Sequence, residues 1–134
     1  MIRTIALAAA MLVPALVATQ FLLVGYAVFA DGAAWSWHRA VGAALALPVL
    51  GLATLAFAVP AMRAARRPAA LLAGFYLMQF GWLALGEALG VPALRALHAV
   101  NALAVAALGD AVLRTVLRAT RPAPGAVTAQ PGAA

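Results

Sequence analysis

Four apolar stretches, each longer than the roughly 18 residues that mark a membrane-spanning helix, leave this chain few choices of fold. They run over about 4–30, 38–60, 69–89 and 92–117. A bilayer cannot hydrogen-bond a free backbone, so consecutive spans of this length are read as helices. Only 9% of the residues are charged, against about 25% in a soluble domain, so the chain lacks the polar surface to fold in water. The expected fold is all-α: a four-helix up-down transmembrane bundle over 1–118. The segment 119–134, rich in Pro, Gly, Ala, Thr and Gln, has nothing to bury and is expected to be a disordered cytoplasmic tail.

The first apolar run follows Arg3 and passes small residues near Ala18, which raises the question of a cleaved leader. It continues through Phe29, well beyond the roughly 7–15 apolar residues of a secretory signal, and is expected to be retained as a spanning helix. Pro14 is a candidate kink, which neighbouring helices in a bundle can accommodate. Asp31-Gly32 and Gly90-Val91-Pro92 are expected turns, with Pro92 suited to the first turn of the last helix. Trp35 and Trp37 fall where an interfacial aromatic belt would lie.

The net charge of +6 would raise nucleic acid as a partner in a soluble protein. The placement of the charges argues for lipid instead. Arg3 precedes the first span, Arg63, Arg66 and Arg67 lie between the second and third, and Arg114, Arg118 and Arg121 follow the fourth. Basic residues beside spans stay in the cytoplasm. Both termini and a short basic loop, Arg63–Pro68, are therefore expected on the cytoplasmic side, and the loops near 31–37 and 87–92 outside. Asp110 and Arg114 stand one helical turn apart and read as an ion pair near the cytoplasmic face. Glu87 is expected at the interface.

The chain carries two histidines, His38 and His98, and no cysteine. Disulfides, iron–sulfur clusters, thiolate-ligated haem and covalently attached haem are thereby excluded. Each histidine follows a glutamine of the preceding span: Gln20 stands 18 residues before His38 and Gln79 stands 19 before His98. Each has a small residue four positions on, Gly42 and Ala102, one turn down the same face. The two halves thus read as similar helical hairpins inserted in the same orientation. The glutamines are expected as helix-packing hydrogen-bonders.

Spans two and four both descend from the outer face. His38 falls in the first turn of one, and His98 about six residues into the other, roughly 9 Å down at 1.5 Å per residue. In an up-down bundle the second and fourth helices occupy opposite corners, so the two rings can face each other across the centre. Two histidines make a poor zinc site, which needs three or four protein ligands. Haem iron needs only two axial ligands. The expected cofactor is haem b, with His38 and His98 as metal ligands. Gly42 and Ala102 would leave room for the porphyrin, Arg39 or Arg95 would pair with a propionate, and Asn101 would hydrogen-bond inside the bundle.

The stretch His38-Arg39-Ala40-Val41-Gly42 resembles the His-Arg-x-x-Gly element of the haem A synthase superfamily. Gln79, Leu89-Gly90-Val91-Pro92 and Leu97-His98-Ala99-Val100-Asn101-Ala102-Leu103 resemble the second half of the same four-helix unit. The resemblance covers roughly residues 15–110 and extends to small four-helix bacterial membrane proteins with two histidines. It implies haem held between the second and fourth helices on the outer side, and a multi-pass protein of the bacterial inner (cytoplasmic) membrane. The full synthase has two such halves. Its catalytic half places a glutamate just before the helix-two histidine, whereas the acid in this loop is Asp31, seven residues from His38. The outer-loop cysteine pair of some members is missing as well.

The favoured expectation is a b-type cytochrome working in electron transfer or haem-dependent redox, more readily a subunit than a stand-alone enzyme. Its partners would be the lipid bilayer, a second copy or a larger membrane redox complex, and a quinone or redox protein. The alternatives are a haem-handling or haem-modifying enzyme of the synthase type, and a cofactor-free assembly or transport protein. The topology can be checked directly, because the chain has no native cysteine. In spheroplasts, a cysteine introduced by Gly32→Cys should react with a membrane-impermeant maleimide. One introduced by Ala64→Cys should react only after permeabilisation, and the opposite pattern would invert the assignment.

Overall fold

A computed structural model describes residues 1–120; most of the expected tail, 121–134, lies outside the described residues. Five α-helices build four spans: α1 (Ile2–Phe29), α2 (Ala34–Ala44), α3 (Ala46–Ala58), α4 (Arg66–Ala88) and α5 (Pro92–Thr120), with a 3-10 helix at Pro60–Ala65 before α4. All four spans are long and apolar enough to cross a membrane, the second being α2 and α3 together and the third the 3-10 helix with α4. The expected all-α four-helix bundle is what forms. The last helix continues to Thr120, two residues past the expected boundary.

The turns follow local chemistry. The Asp31 side chain accepts a hydrogen bond from the Ala33 N–H at 2.9 Å, a local turn that aspartate favours. At the end of α4, the Gly90 N–H donates to Glu87 O at 3.2 Å and the Val91 N–H to Gly86 O at 3.0 Å, with Gly90 at φ +64°. This is a Schellman motif, and its left-handed position suits glycine because a side chain there is strained. Pro92 then opens α5, where a missing N–H costs nothing.

Two expectations about the second and third spans change. The second begins at Ala34 rather than His38, so His38 sits more than one turn inside it. The basic segment 63–68 is not an open loop. Val59 is extended, φ −107° and ψ 114°, as the residue before Pro60 must be, and the chain then runs through the 3-10 helix straight into α4. Pro68 is accommodated in the first turn of α4, where the N–H groups have no intrahelical partner anyway. Arg66 folds back onto the end of α3, donating from Nε to Ala56 O at 3.0 Å and from Nη2 to Phe57 O at 3.3 Å. It thereby satisfies carbonyls the helix end leaves open.

The second span is interrupted at Leu45, between α2 and α3, although Leu45 itself keeps helical dihedrals, φ −59° and ψ −20°. Pro48 explains the break: it has no N–H for Ala44 O, and its ring crowds that carbonyl. The break divides the molecule. Side chains buried among apolar neighbours run from Ala6 to Val17, Leu45 to Ala56, Met62 to Tyr76 and Val105 to Val116, all in the half nearer the termini. There α3 lies beside α1 and α4. In the other half α2 lies beside α1, and its backbone has no close neighbour on α4 or α5 among the described residues.

Close packing in the solid half uses glycine once as a contact point. A Cβ at Gly109 would come within 2.6 Å of Val13 Cγ1, and Val13 is fully buried and β-branched. Gly109→Ala should therefore lower stability by about 1–3 kcal/mol through overpacking. Thermal unfolding in mild detergent should show that loss, and Val13→Ala added to Gly109→Ala should recover part of it.

Candidate functional site

The hollow half of the bundle encloses a cavity of about 470 Å³, within the range of small-molecule and cofactor sites. Its walls are mainly aliphatic and aromatic. Of the residues singled out from sequence, His38, Arg39, Gly42, His98 and Ala102 line it, together with Gln20 and Gln79. Arg95 and Asn101 do not. Arg95 donates to the Glu87 carboxylate at 3.0 Å. Asn101, buried, donates from Nδ2 to Phe75 O at 2.8 Å, which is the intrabundle hydrogen bond expected of it. Asp110 and Arg114 form the expected ion pair.

The two imidazoles approach each other across the cavity, with ring centres 6.3 Å apart and planes at 69°. They come from α2 and α5, whose backbones do not touch, so these side chains reach toward each other over open space. Both residues are half-buried. The Nδ1 atom of His38 is buried without a hydrogen-bond partner among the described residues. An unsatisfied buried polar atom costs about 1–3 kcal/mol and calls for an explanation. The His98 ring is held differently. Its Nδ1 lies 3.2 Å from the main-chain oxygen of Gln79, which can only accept. With the Gln79 amide turned so that its nitrogen faces acceptors, that nitrogen lies 3.1 Å from the same Nδ1, so Nδ1 is engaged either as donor to the carbonyl or as acceptor from the amide.

The two glutamines act on the helices that carry the histidines. Gln20 Nε2 donates to the His38 carbonyl at 2.9 Å. The Gln79 amide, turned so that its nitrogen faces acceptors, donates to the His98 carbonyl at 2.7 Å and accepts from the Ala102 N–H at 3.1 Å. The repeat read from the sequence thus has a physical counterpart: in each hairpin the glutamine of one helix ties down the histidine-bearing turn of the next. Gly42 belongs to this tie. A Cβ there would rest 3.5 Å from the Gln20 amide, so the small residue faces the glutamine as well as lining the cavity.

Three residues that shape the site were given other roles, or none, from sequence. Tyr76 of α4 donates its hydroxyl proton to Gly42 O at 3.0 Å, with Ala43 O at 3.5 Å, bridging α4 to α2 just before the break at Leu45. It lines the cavity where the solid core begins. Trp35, expected as an interfacial anchor, stands edge-on to His38 with ring centres 5.5 Å apart. Pro48, which causes the break, lies outside the cavity. A proline inside an apolar run was the available signal for the break; nothing in the sequence marked Tyr76.

Gly86 marks a second close approach. A Cβ there would fall 2.5 Å from Arg95 Cγ and 2.9 Å from the Arg95 backbone nitrogen, so the start of α5 crosses α4 at a point where no side chain fits. This crossing sets the register that carries His98, three residues beyond Arg95, to the cavity. Tyr76→Phe removes the α2 bridge while keeping the ring. It should cost about 0.5–2 kcal/mol, the scale of hydrogen bonds between membrane helices. It should also speed hydrogen exchange at the amides of 42–46 relative to those of α3; unchanged exchange there would show that the bridge does not hold the broken segment.

No curated protein and no solved structure matches the chain. A family model described as a family of unknown function, DUF6220, matches residues 20–86. The match begins at Gln20 and takes in His38, Gly42, Tyr76 and Gln79, and it ends before the helix that carries His98. It covers half of the sequence, and the chain belongs to the DUF6220 family.

Proposed function

We propose that the protein is a membrane-embedded b-type cytochrome whose single haem is bound between His38 and His98. The observation that carries this reading is the pair of imidazoles facing each other over a cavity of about 470 Å³ with ring centres 6.3 Å apart. A metal held about 2 Å from one nitrogen of each ring needs ring centres roughly 6 Å apart. The Nδ1 of His98 is engaged from α4, which leaves the other nitrogen of that ring for a metal. A backbone carbonyl on the distal ring nitrogen is also the usual support of a metal-binding histidine.

The donor set favours haem over a bare ion. Among the described residues no three His, Cys, Asp or Glu side chains group together, whereas haem asks the protein for two axial ligands. The mainly apolar walls suit the porphyrin faces, and Arg39 at the cavity wall suits a propionate. Arg95 would have to leave Glu87 to serve the same purpose. The resemblance of the two histidine helices to the haem A synthase superfamily supports the same reading.

A haem held by His38 and His98 would supply a one-electron couple, and with both histidines engaged the site would offer it no further exchange of protein ligand. Electron transfer is therefore favoured over oxygen chemistry. The distribution of arginines, with Arg3, Arg63, Arg66, Arg67, Arg114 and Arg118 at the end of the termini, supports cytoplasmic termini and a haem in the outer leaflet of a bacterial inner membrane. A quinone or a redox protein would then exchange electrons at that face, and a second copy or a larger redox complex would carry them further.

The purified protein from haem-sufficient cells should show a sharp α band and a Soret band in reduced-minus-oxidised spectra. His38→Ala and His98→Ala should each abolish the low-spin α band while leaving the helical circular-dichroism signal intact. A colourless preparation, or spectra indifferent to both substitutions, would sink the proposal.

A further inference from the structure

We infer that the cavity opens sideways into the bilayer through a gap between α2 and α4, and that a lipid-borne amphiphile with an anionic end reaches the histidines by this route rather than from water at the loop end. The identity of the amphiphile as haem rests on the reading above; the opening itself does not.

The gap follows from how the spans meet. In an up-down bundle each span has two neighbours. Here α1 lies beside α5 and beside both parts of the second span, and α4 lies beside α5. The contact between the second and third spans is made by α3 against α4, with no backbone contact from α2. The hydroxyl of Tyr76 on Gly42 and Ala43 is the last hydrogen bond joining α2 to α4 among the described residues. Above it, Phe80 and Leu83 continue the cavity face of α4 at helical spacing. They are 46% and 38% exposed, as expected of side chains on the margin of an opening.

Side chains also stand at the loop end. Trp35, one turn toward the loop from His38, lays its indole edge-on to that ring. On the other side Arg95 spans to Glu87, with its stem pressed into the space left by Gly86. The cavity lining includes no acid, and its one cation, Arg39, has no carboxylate partner among the described residues. A mainly apolar chamber with a single free guanidinium selects a ligand with an apolar body and an anionic group, the kind of molecule that partitions into a membrane.

The test uses the full chain in phosphatidylcholine vesicles, labelled with the fluorophore NBD at single introduced cysteines. Val24 lines the cavity from α1, the helix diagonal to α4, so lipid reaches a label there through the gap. Doxyl-labelled phosphatidylcholine should quench NBD at Val24→Cys to at least half the extent seen at Leu22→Cys, which faces lipid at 70% exposure. Adding Leu83→Trp should cut that quenching several-fold. Aqueous iodide should quench a label at Gly32→Cys and leave the one at Val24→Cys untouched.

Iodide quenching at Val24→Cys, protection from both quenchers, or doxyl quenching indifferent to Leu83→Trp would each overturn the proposal. The readout needs no haem. A colourless protein with the expected quenching would refute the cytochrome and keep the opening, and a haem-loaded protein quenched only by iodide would do the reverse.

Discussion

A single missing backbone N–H organises this molecule. Pro48 cannot donate to Ala44 O, and the second span breaks at Leu45. Below the break α3 lies against α4 and completes a core of Val13, Val49, Leu52, Leu72, Val105, Val112 and Val116, all fully buried. Above it α2 stays with α1 and parts from α4 and α5. The cavity lies on the α2 side of this interruption, while the backbone at Leu45 stays helical, with its N–H on Val41 O at 3.0 Å and its carbonyl accepting from Val49 at 3.2 Å.

A hollow half-bundle in lipid needs fastening, and the fastenings are polar. Gln20 holds the His38 turn, Tyr76 holds Gly42, Gln79 reaches the His98 turn and Asn101 holds Phe75. Each such bond contributes on the order of 1 kcal/mol between membrane helices, modest singly, but their partners are backbone carbonyls in the turns around the histidines. Rigid support of this kind is what a binding constellation requires of its surroundings. The two hairpins share the glutamine device and differ in the ring: Nδ1 of His98 lies at the Gln79 carbonyl, and Nδ1 of His38 has no partner among the described residues.

Much of the plan was legible in the residues. Span number, the turns at Asp31-Gly32 and Gly90-Val91-Pro92, the Asp110–Arg114 pair, the packing role of Asn101 and the pairing of glutamines with histidines all follow from hydropathy, turn chemistry and spacing. Those signals are local, or repeat along one helix face. The contacts that spacing does not convey are mostly those whose partner lies on another helix. Arg95 shares the face of His98 at i, i+3, yet it pairs with Glu87 across the turn, because Gly86 lets its stem cross α4. The basic segment after Pro60 read as a loop because its arginines suggested solvent, whereas Arg66 closes the end of α3. Trp35 differs: its ring partner His38 lies three residues on in the same helix, a contact that position along the span does not convey.

The sequence by itself determined that this is a helical membrane protein of four spans with two histidines near one end, since apolar length, charge placement and the residues that start and stop helices act within a turn or two of chain. Only the tertiary structure decided that the end holding the histidines is hollow, that their rings meet over the hollow, and that Tyr76 and Trp35 bound it. Those outcomes depend on distances between helices far apart in the chain, set by which side chains or carbonyls happen to satisfy one another across the bundle, and no one-dimensional pattern encodes such a distance.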